Sequence, residues 1–262
     1  MHVYQSDDRA MAERHGHMQW VPRIQGALAE GRFRLYYQPI VTLGPTKAEG
    51  EWGEILLRLV DEQGKLVLPG AFLPAAERYD QMDAIDRWVI GQALAALRRQ
   101  VPGAPPACYT INVSGQSFNN EDLLEFVTEH LNGIAPGQVC FEITETAAIG
   151  NLRAAMGFIS TLKARGCRFA LDDFGSGLSS FAYLKTLPVD HLKIDGRFIR
   201  NMRQDPIDRA MVEAIHRIGH VMGLKTIAER VEDTATLEAL QTIGVDYAQG
   251  VGIAPPRALE LG

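Results

Sequence analysis

The chain has 262 residues, of which 46% are apolar and 22% are charged, and its formal net charge is −6. This composition is typical of an ordinary globular protein that can bury a sizeable core. The negative charge excludes a general surface for DNA, RNA or anionic membranes, but it allows a small phosphorylated ligand held through metal ions and a few arginines.

The cysteines and the lack of a long apolar run favour the cytoplasm. Cys108, Cys140 and Cys167 are odd in number and widely spaced, which indicates core thiols in a reducing compartment. No apolar stretch approaches the ~20 residues of a membrane span, and residues 2–14 lack the apolar core of a signal peptide. Membrane segments could still lie elsewhere in a longer parent protein.

The first elements in chain order indicate that the first two strands are antiparallel. Residues 1–20 show no clear pattern and are interpreted as a linker or the cut end of an upstream domain, with the folded domain spanning 21–262. A helix is predicted at about 22–30, followed by strands at 33–38 and 53–59. The link between these strands contains Gly44 and Pro45 and is too short for a helical crossover, so the two strands should be antiparallel.

Strands and helices then alternate to the end of the chain. Further strands are predicted at 107–113, 138–143, 168–172, 190–194, 224–228 and 245–249, and helices at 71–78, 82–99, 121–132, 151–165, 177–185, 207–222 and 233–242. No early Gly-x-Gly-x-x-Gly turn follows the first strand, which disfavours a doubly wound sheet. The pattern therefore predicts an α/β fold, a (β/α)8 TIM-like barrel with one antiparallel strand near the N-terminus.

Asp172 and Asp173 are the most informative pair in the chain. They close a short apolar run, and Gly175 and Gly177 follow. Adjacent carboxylates raise each other's pKa unless a cation lies between them, so the pair indicates a bound metal ion. The alternative is an exposed Asp-Asp turn, because Asp and Gly are ordinary turn formers.

Polar residues at the ends of the other predicted strands favour the metal interpretation. In a barrel, catalytic groups lie at the C-terminal ends of the strands, and charges there need a shared partner. The residues in such positions are Glu54, Asn112, Glu142, Asp172, Asp173, Lys193, Glu229 and Gln249. Carboxylates and an amide without histidine or thiolate suit Mg²⁺ or Mn²⁺, and their number indicates two ions. Two such ions can clamp the attacking and leaving oxygens of a phosphoryl displacement.

Eight blocks of sequence, in order, resemble the signature of bacterial EAL domains, which are cyclic di-GMP phosphodiesterases. The resemblance runs from about residue 20 to 257. The blocks begin at Tyr36 (YYQPI), Glu54 (EILLR), Ile111 (INVS), Phe141 (FEITE), Asp172 (DDFGSGLSS), Leu192 (LKID), Ala228 (AERVE) and Gln249 (QG).

The resemblance implies metal-dependent hydrolysis of cyclic di-GMP to linear pGpG. By motif position, one ion would be held by Glu54, Asn112, Glu142 and Asp172, and the other by Asp172, Asp173 and Glu229. Lys193 would position the nucleophilic water, Glu232 would restrain that lysine, and Glu145 would anchor the loop after Asp173. Gln38, Leu56, Arg58 and Gln249 would contact the substrate or the water network. A homodimer and an upstream GGDEF or sensory domain are also implied.

Two rival functions remain open at this point. EAL-like domains that have lost metal ligands act as cyclic di-GMP receptors, whereas here every ligand position and Lys193 are present. An enolase-type barrel also combines strand-end acids, Mg²⁺ and a lysine base. The products separate the two enzyme classes, because one releases a linear dinucleotide and the other transforms a small acid.

Overall fold

The computed structural model describes residues 4–44, 50–100, 107–175 and 183–259, with side chains in the first helix described from residue 17. The α-helices are α1 (Tyr4–Ala29), α2 (Leu73–Arg78), α3 (Met82–Arg98), α4 (Glu121–His130), α5 (Glu145–Gly150), α6 (Leu152–Lys163), α7 (Gly196–Asn201), α8 (Pro206–Val221) and α9 (Thr234–Ile243). Short 3-10 turns cover Pro69–Ala71, Gly115–Asn119 and Tyr183–Lys185.

The strands form one sheet that returns on itself. They are β1 (Phe33–Pro39), β2 (Val41–Thr42), β3 (Glu51–Val60), β4 (Leu66–Val67), β5 (Ala107–Asn112), β6 (Val139–Thr144), β7 (Arg168–Phe174), β8 (His191–Ile194), β9 (Lys225–Ala228), β10 (Tyr247–Ala248) and β11 (Arg257–Ala258). The series β3, β5, β6, β7, β8, β9 and β10 is parallel. β1 pairs antiparallel with β3, and β2 pairs antiparallel with β10.

The first strand closes the barrel. Only Ile40 separates β1 from β2, so one short stretch of chain joins both ends of the parallel series. The structure confirms the predicted TIM-like barrel with an antiparallel strand near the N-terminus, and it pairs Gln38 with Glu54 across that antiparallel contact.

Side-chain caps explain where several predicted helices begin. Asn120, Asp205 and Asp233 each accept a hydrogen bond from a backbone N–H in the first turn of α4, α8 and α9. These bonds satisfy N–H groups that have no partner within the helix. Helix α9 ends at Gly244, whose φ of 96° is a left-handed conformation that suits glycine.

The structure differs from the prediction in its shortest elements and at its N-terminus. Strands β2, β4 and β11 have two residues each, too few to show a period in the sequence. Helix α1 begins at Tyr4 and passes through Pro22, whereas a proline normally marks the first turn of a helix. Residues 4–20 are therefore helical, and the boundary of the domain at residue 21 stays a prediction. Most of the helix predicted at 177–185 lies outside the described residues.

An aromatic layer inside the barrel supports the ends of the strands. The Trp52 ring lies 5.0 Å from the His191 ring and 4.7 Å from the Tyr247 ring, between ring centroids. Two positions after these three residues stand the predicted site residues Glu54, Lys193 and Gln249. Side chains along a strand alternate with a period of two, so each site residue lies on the same face as the aromatic residue before it. Burial lowers the pKa of His191 to about 4, so this layer is uncharged at neutral pH.

Among the described helices, none is both long and apolar enough to cross a membrane. Cys108, Cys140 and Cys167 carry free thiols, and Cys140 and Cys167 are buried, as expected for core thiols. The cytoplasmic location stays a prediction.

Candidate active site

Asp172 and Asp173 lie at the end of β7, where the strand pairing changes register. Leu171 pairs with Leu192, but the next pair is Phe174 with Ile194, so β7 contains one extra residue there. Asp173 has a φ of 54°, a left-handed conformation that Asp tolerates better than most residues. Because of this bulge, two adjacent carboxylates line the same cavity instead of pointing to opposite faces.

Lys193 lies at the centre of the predicted site. Its Nζ is 2.6 Å from Glu229 Oε1, 2.8 Å from Glu142 Oε2, 3.2 Å from Asp172 Oδ1 and 3.6 Å from Glu54 Oε2. The side chain is 1% exposed. Strands β3, β6, β7 and β8 and the residue after β9 thus bring these charged side chains together. Glu54 differs from the prediction in its position, since it is the fourth of ten residues in β3, which continues beyond the site to Val60.

The pKa values of this cluster show how buried and crowded it is. Burial lowers the pKa of Lys193, but the surrounding carboxylates outweigh burial and raise its pKa well above the ordinary value. Burial, with repulsion from Glu54, raises the pKa of Glu142 well above the ordinary range. Burial also raises the pKa of Glu229, to about 8. Lys193 is therefore charged at neutral pH, and the acids around it are short of positive charge.

A chain of amides positions Glu54. Gln249 Nε2 donates hydrogen bonds to Glu54 Oε2 at 2.7 Å and to Gln38 Oε1 at 3.2 Å. Gln38 Nε2 in turn donates to the backbone carbonyl of Ala254 at 3.1 Å. On the other side, Asn112 Nδ2 donates to Glu54 Oε1 at 2.7 Å. Both oxygens of Glu54 are therefore oriented, and the predicted ligand Asn112 is in direct contact with it.

The donor set fits divalent ions that prefer oxygen ligands. Asp172, Asp173 and Glu229 each offer an oxygen, and these oxygens lie within 4.8 Å of one another. Glu142 Oε1 is buried and receives no hydrogen bond from a described residue, so it can accept a cation. Asp172 Oδ1 also receives no hydrogen bond, and its described partner is the Lys193 ammonium at 3.2 Å. Of the predicted first set, Glu54, Glu142 and Asp172 also contact the Lys193 ammonium, so an ion held there would compete with Lys193 for their oxygens.

Glu145 holds the chain on both sides of the segment 176–182, which lies outside the described residues. Gly175 N–H donates to Glu145 Oε2 at 3.1 Å, which is the backbone contact expected of a loop anchor. The Tyr183 hydroxyl donates to Glu145 Oε1, a contact that was not predicted from the sequence. The rest of the loop that Glu145 is predicted to anchor, including Ser179 and Ser180, lies outside the described residues.

Two predicted residues, Glu232 and Arg58, make contacts other than those expected of them, whereas Leu56 lies as expected. Glu232 lines the cavity, but its carboxylate is 3.4 Å from Arg200 and it is not among the described ion partners of Lys193. The contacts that restrain Lys193 come instead from Glu142 and Glu229. Arg58 donates to the carbonyl of Leu57 and lies over the Tyr36 ring, and burial lowers its pKa. Leu56 lines the cavity as expected of a substrate contact.

The cavity at the ends of the strands has a volume of about 490 Å³, within the range of ligand-binding sites. Its described lining residues are Gln38, Glu54, Leu56, Asp172, Asp173, Glu229, Arg230, Glu232, Gln249, Gly250 and Val251. Arg230 was not predicted as a site residue. It follows Glu229 directly in the sequence, but nothing in the sequence shows its backbone conformation.

Comparison with known proteins agrees with this geometry. The chain is similar to the cyclic di-GMP phosphodiesterase PdeB of Shewanella oneidensis, with 40% identity over 99% of this chain and 30% of PdeB. It is 35% identical to the cyclic di-GMP phosphodiesterase PdeF of Escherichia coli over 90% of this chain and 32% of PdeF. The chain spans about a third of the length of these relatives.

A solved structure and a family model give the same result. The structure of the PaMucR phosphodiesterase in complex with c-di-GMP superposes with a TM-score of 0.85 and 33% identity, covering 92% of this chain and 98% of that chain. The family model described as "EAL domain" matches residues 22–256. Since that match includes every predicted strand and every predicted site residue, the chain belongs to the EAL domain family.

Proposed function

We propose that this chain hydrolyses one phosphodiester bond of cyclic di-GMP and releases linear pGpG, with the help of two Mg²⁺ or Mn²⁺ ions. The observation that carries the proposal is the cluster of Glu54, Glu142, Asp172 and Glu229 around the buried Lys193. A purely structural barrel would not gather four carboxylates and one ammonium in its interior, because burying charge is expensive. The likeness to named cyclic di-GMP phosphodiesterases supports the choice of substrate.

The described residues divide into two overlapping sets of ligands. Glu54, Asn112, Glu142 and Asp172 would hold one ion, and Asp172, Asp173 and Glu229 the other. Divalent ions in such a site neutralise phosphate charge and make water more acidic. Asp172 belongs to both sets, so the β7 bulge that aims it fixes the spacing between the two sets.

Side chains of the protein itself have the remaining roles in the proposed hydrolysis. Lys193 stays protonated, so it orients the attacking water and stabilises negative charge that develops on the phosphate oxygens. Gln249 and Gln38 hold Glu54 in a ligating orientation. Leu56 provides an apolar contact for the substrate at the cavity wall, and Arg58, on the same strand, is the predicted second contact.

One experiment separates the candidate functions. Purified protein is incubated with cyclic di-GMP and Mg²⁺, and the products are resolved by chromatography. We expect linear pGpG, no product after EDTA treatment, and recovery with Mg²⁺ or Mn²⁺ but not with Ca²⁺, which prefers longer bonds. Tight binding without product would establish the receptor function instead, and full activity in EDTA would contradict the role of the ions.

The setting of this domain is also a proposal. The chain spans 30% of PdeB and 32% of PdeF, which supports a longer parent protein with an upstream GGDEF or sensory domain. We further propose that the domain acts in the cytoplasm, where a reduced state suits its three free thiols, and that it forms a homodimer. Light scattering of the purified chain tests the dimer, since a monomer mass at working concentration would contradict it.

A further inference from the structure

The backbone at Arg230 has an unusual conformation that its neighbours enforce. Its φ is 52°, a left-handed conformation that is strained for a residue with a side chain. The next residue is fixed on both sides, since Val231 N–H donates to the Gln249 carbonyl at 3.0 Å and Gly252 N–H donates to the Val231 carbonyl at 2.9 Å. A Cβ at Gly250 would lie 2.1 Å from the Val231 oxygen. This close packing leaves the backbone at Arg230 no alternative conformation.

The side chain of Arg230 packs against the backbone of Gly196. A Cβ built at Gly196 would lie 2.5 Å from Arg230 Cδ and 2.7 Å from its Cγ. The aliphatic part of Arg230 therefore lies directly on the Gly196 backbone, at the start of α7. Among the described residues, no hydrogen bond or ion pair engages the Arg230 guanidinium, although acids surround it in the cavity. The side chain is positioned, and its donors are available.

The charge of the cavity indicates which kind of group the donors of Arg230 bind. Arg230 carries the only positive charge among the described lining residues, beside Glu54, Asp172, Asp173, Glu229 and Glu232. A cyclic dinucleotide brings two phosphates, and the ions and Lys193 account for the one that reacts. Arg58, the other predicted cationic contact, is not among the described residues that line the cavity. Arg230 is therefore the cation available to the second phosphate, and a guanidinium binds phosphate through paired hydrogen bonds.

We propose that Arg230 is a substrate-binding residue that contacts the phosphate that is not hydrolysed, and that Gly196 exists to hold it in place. This inference rests on the proposed function. It explains why the chain keeps a strained arginine at this position: the strain is retained because the surrounding backbone aims the side chain into the cavity. The contact is the same in ground state and transition state, so it affects KM and leaves kcat unchanged.

The test compares four single variants and one double variant by steady-state hydrolysis of cyclic di-GMP and by thermal unfolding. Arg230→Gly removes the side chain and the strain together, so we expect an unchanged or higher melting temperature, a KM raised by ~10-fold or more, and a kcat within about twofold. Arg230→Gln should show the same KM effect and a weaker dependence of KM on salt, because it removes the charge. Arg217→Gln, an exposed arginine on α8, is the control and should match the parent.

Gly196→Ala tests the contact between the Gly196 backbone and the Arg230 side chain. We expect KM to rise in the parent background and to remain unchanged when Arg230 is already glycine, because the two residues act through one contact. A KM within about twofold of the parent in both Arg230 variants would overturn the proposal, as would a fall in kcat alone. If Arg230→Gly unfolds, Arg230→Gln decides. A parent protein that neither binds nor hydrolyses cyclic di-GMP would overturn the proposed function itself.

Discussion

Lys193 is surrounded by carboxylates on four sides, and its chemistry follows from that position. The Nζ lies within 3.6 Å of an oxygen of Glu54, Glu142, Asp172 and Glu229. Removal of one partner from such a buried cluster leaves the other charges without compensation. We therefore expect Lys193 to contribute both to the proposed reaction and to the stability of the metal-free protein, and the two contributions can be measured separately.

Replacement of Lys193 by methionine should lower kcat by ~10²-fold, because a preorganised donor is lost, while the substrate still binds. Without metal, the variant should also lose ~3 kcal/mol of unfolding free energy, because four carboxylates become unpaired, and Mg²⁺ should recover part of that loss. Single-turnover kinetics and denaturant titrations measure the two effects. Lys163→Met, which removes a half-exposed ion pair with Asp190, is the control. An unchanged single-turnover rate would contradict the assigned role.

Glu145 controls the geometry of the Asp172–Asp173 pair from a distance. Its carboxylate holds Gly175 and Tyr183, so Glu145→Ala should raise the Mg²⁺ concentration for half-maximal activity several-fold and lower kcat. Tyr183→Phe should shift the titration in the same direction by less, because Gly175 remains held. The thermal stability should change little. Superimposable Mg²⁺ titrations for Glu145→Ala and the parent would show that Glu145 does not act on the metal site.

At the scale of elements, the ends of the strands carry the function and the links between elements fix their positions. Sequence periodicity was sufficient to place Glu142, Lys193 and Gln249, because each lies at or near the end of an apolar strand. Glu54 was also expected at a strand end, but it is the fourth of the ten residues of β3, which continues to Val60. The bulge at Asp173 and the left-handed backbone at Arg230 could not be predicted, since both depend on pairing with a neighbouring strand or loop. Glu232, which was expected to restrain Lys193, instead lies 3.4 Å from Arg200.

Helix α3 is joined to the turn after β5 by a buried carboxyl. Asp86 accepts hydrogen bonds from Ser114 N–H at 2.9 Å and from the Ser117 hydroxyl at 2.7 Å, and burial raises the pKa of Asp86 to about 7. The folded state thus binds this proton more tightly than the unfolded state. The contribution is fully present below the ordinary pKa of 3.8 and is lost as the pH rises to about 7.

Replacement of Asp86 by asparagine should remove this pH dependence and keep a hydrogen-bond acceptor. Between pH 5 and pH 8, the unfolding free energy of the variant relative to the parent should rise by ~2 kcal/mol. Urea titrations at both pH values give the difference, and Asp122→Asn, an exposed acid on α4, should show no such trend. A constant difference between Asp86→Asn and the parent would mean that Asp86 is ionised throughout.

At the scale of the whole molecule, the crowded acids lower stability until ions bind. Burial raises the pKa of Asp173, as does its neighbour Asp172, so the ionised Asp173 opposes folding of the metal-free protein. Ions that bind only the folded state stabilise it in proportion to the logarithm of their concentration. The site is thus a place where function is maintained at the expense of stability.

Asp173→Asn should test this trade-off. Asparagine tolerates the left-handed backbone, so the metal-free variant should melt at ~2 °C or more above the parent. Its rise in melting temperature with Mg²⁺ should be smaller, and its activity should be lost. The control Glu125→Gln, an exposed acid on α4, should follow the parent with and without Mg²⁺. A metal-free variant that melts below the parent would contradict the repulsion.

The antiparallel first strand also has a consequence for when the site can form. Gln38 and Gln249 meet in a hydrogen bond although 211 positions separate them, and Gln249 reaches Glu54 across 195 positions. Contacts between such distant parts of a chain form late in folding, because the loop between them must close first. While the ribosome is still making residues before β10, the barrel is open and Glu54 lacks its glutamine partner. In a nascent chain, the candidate site is therefore incomplete until β10 and Gln249 have emerged and joined the first strand.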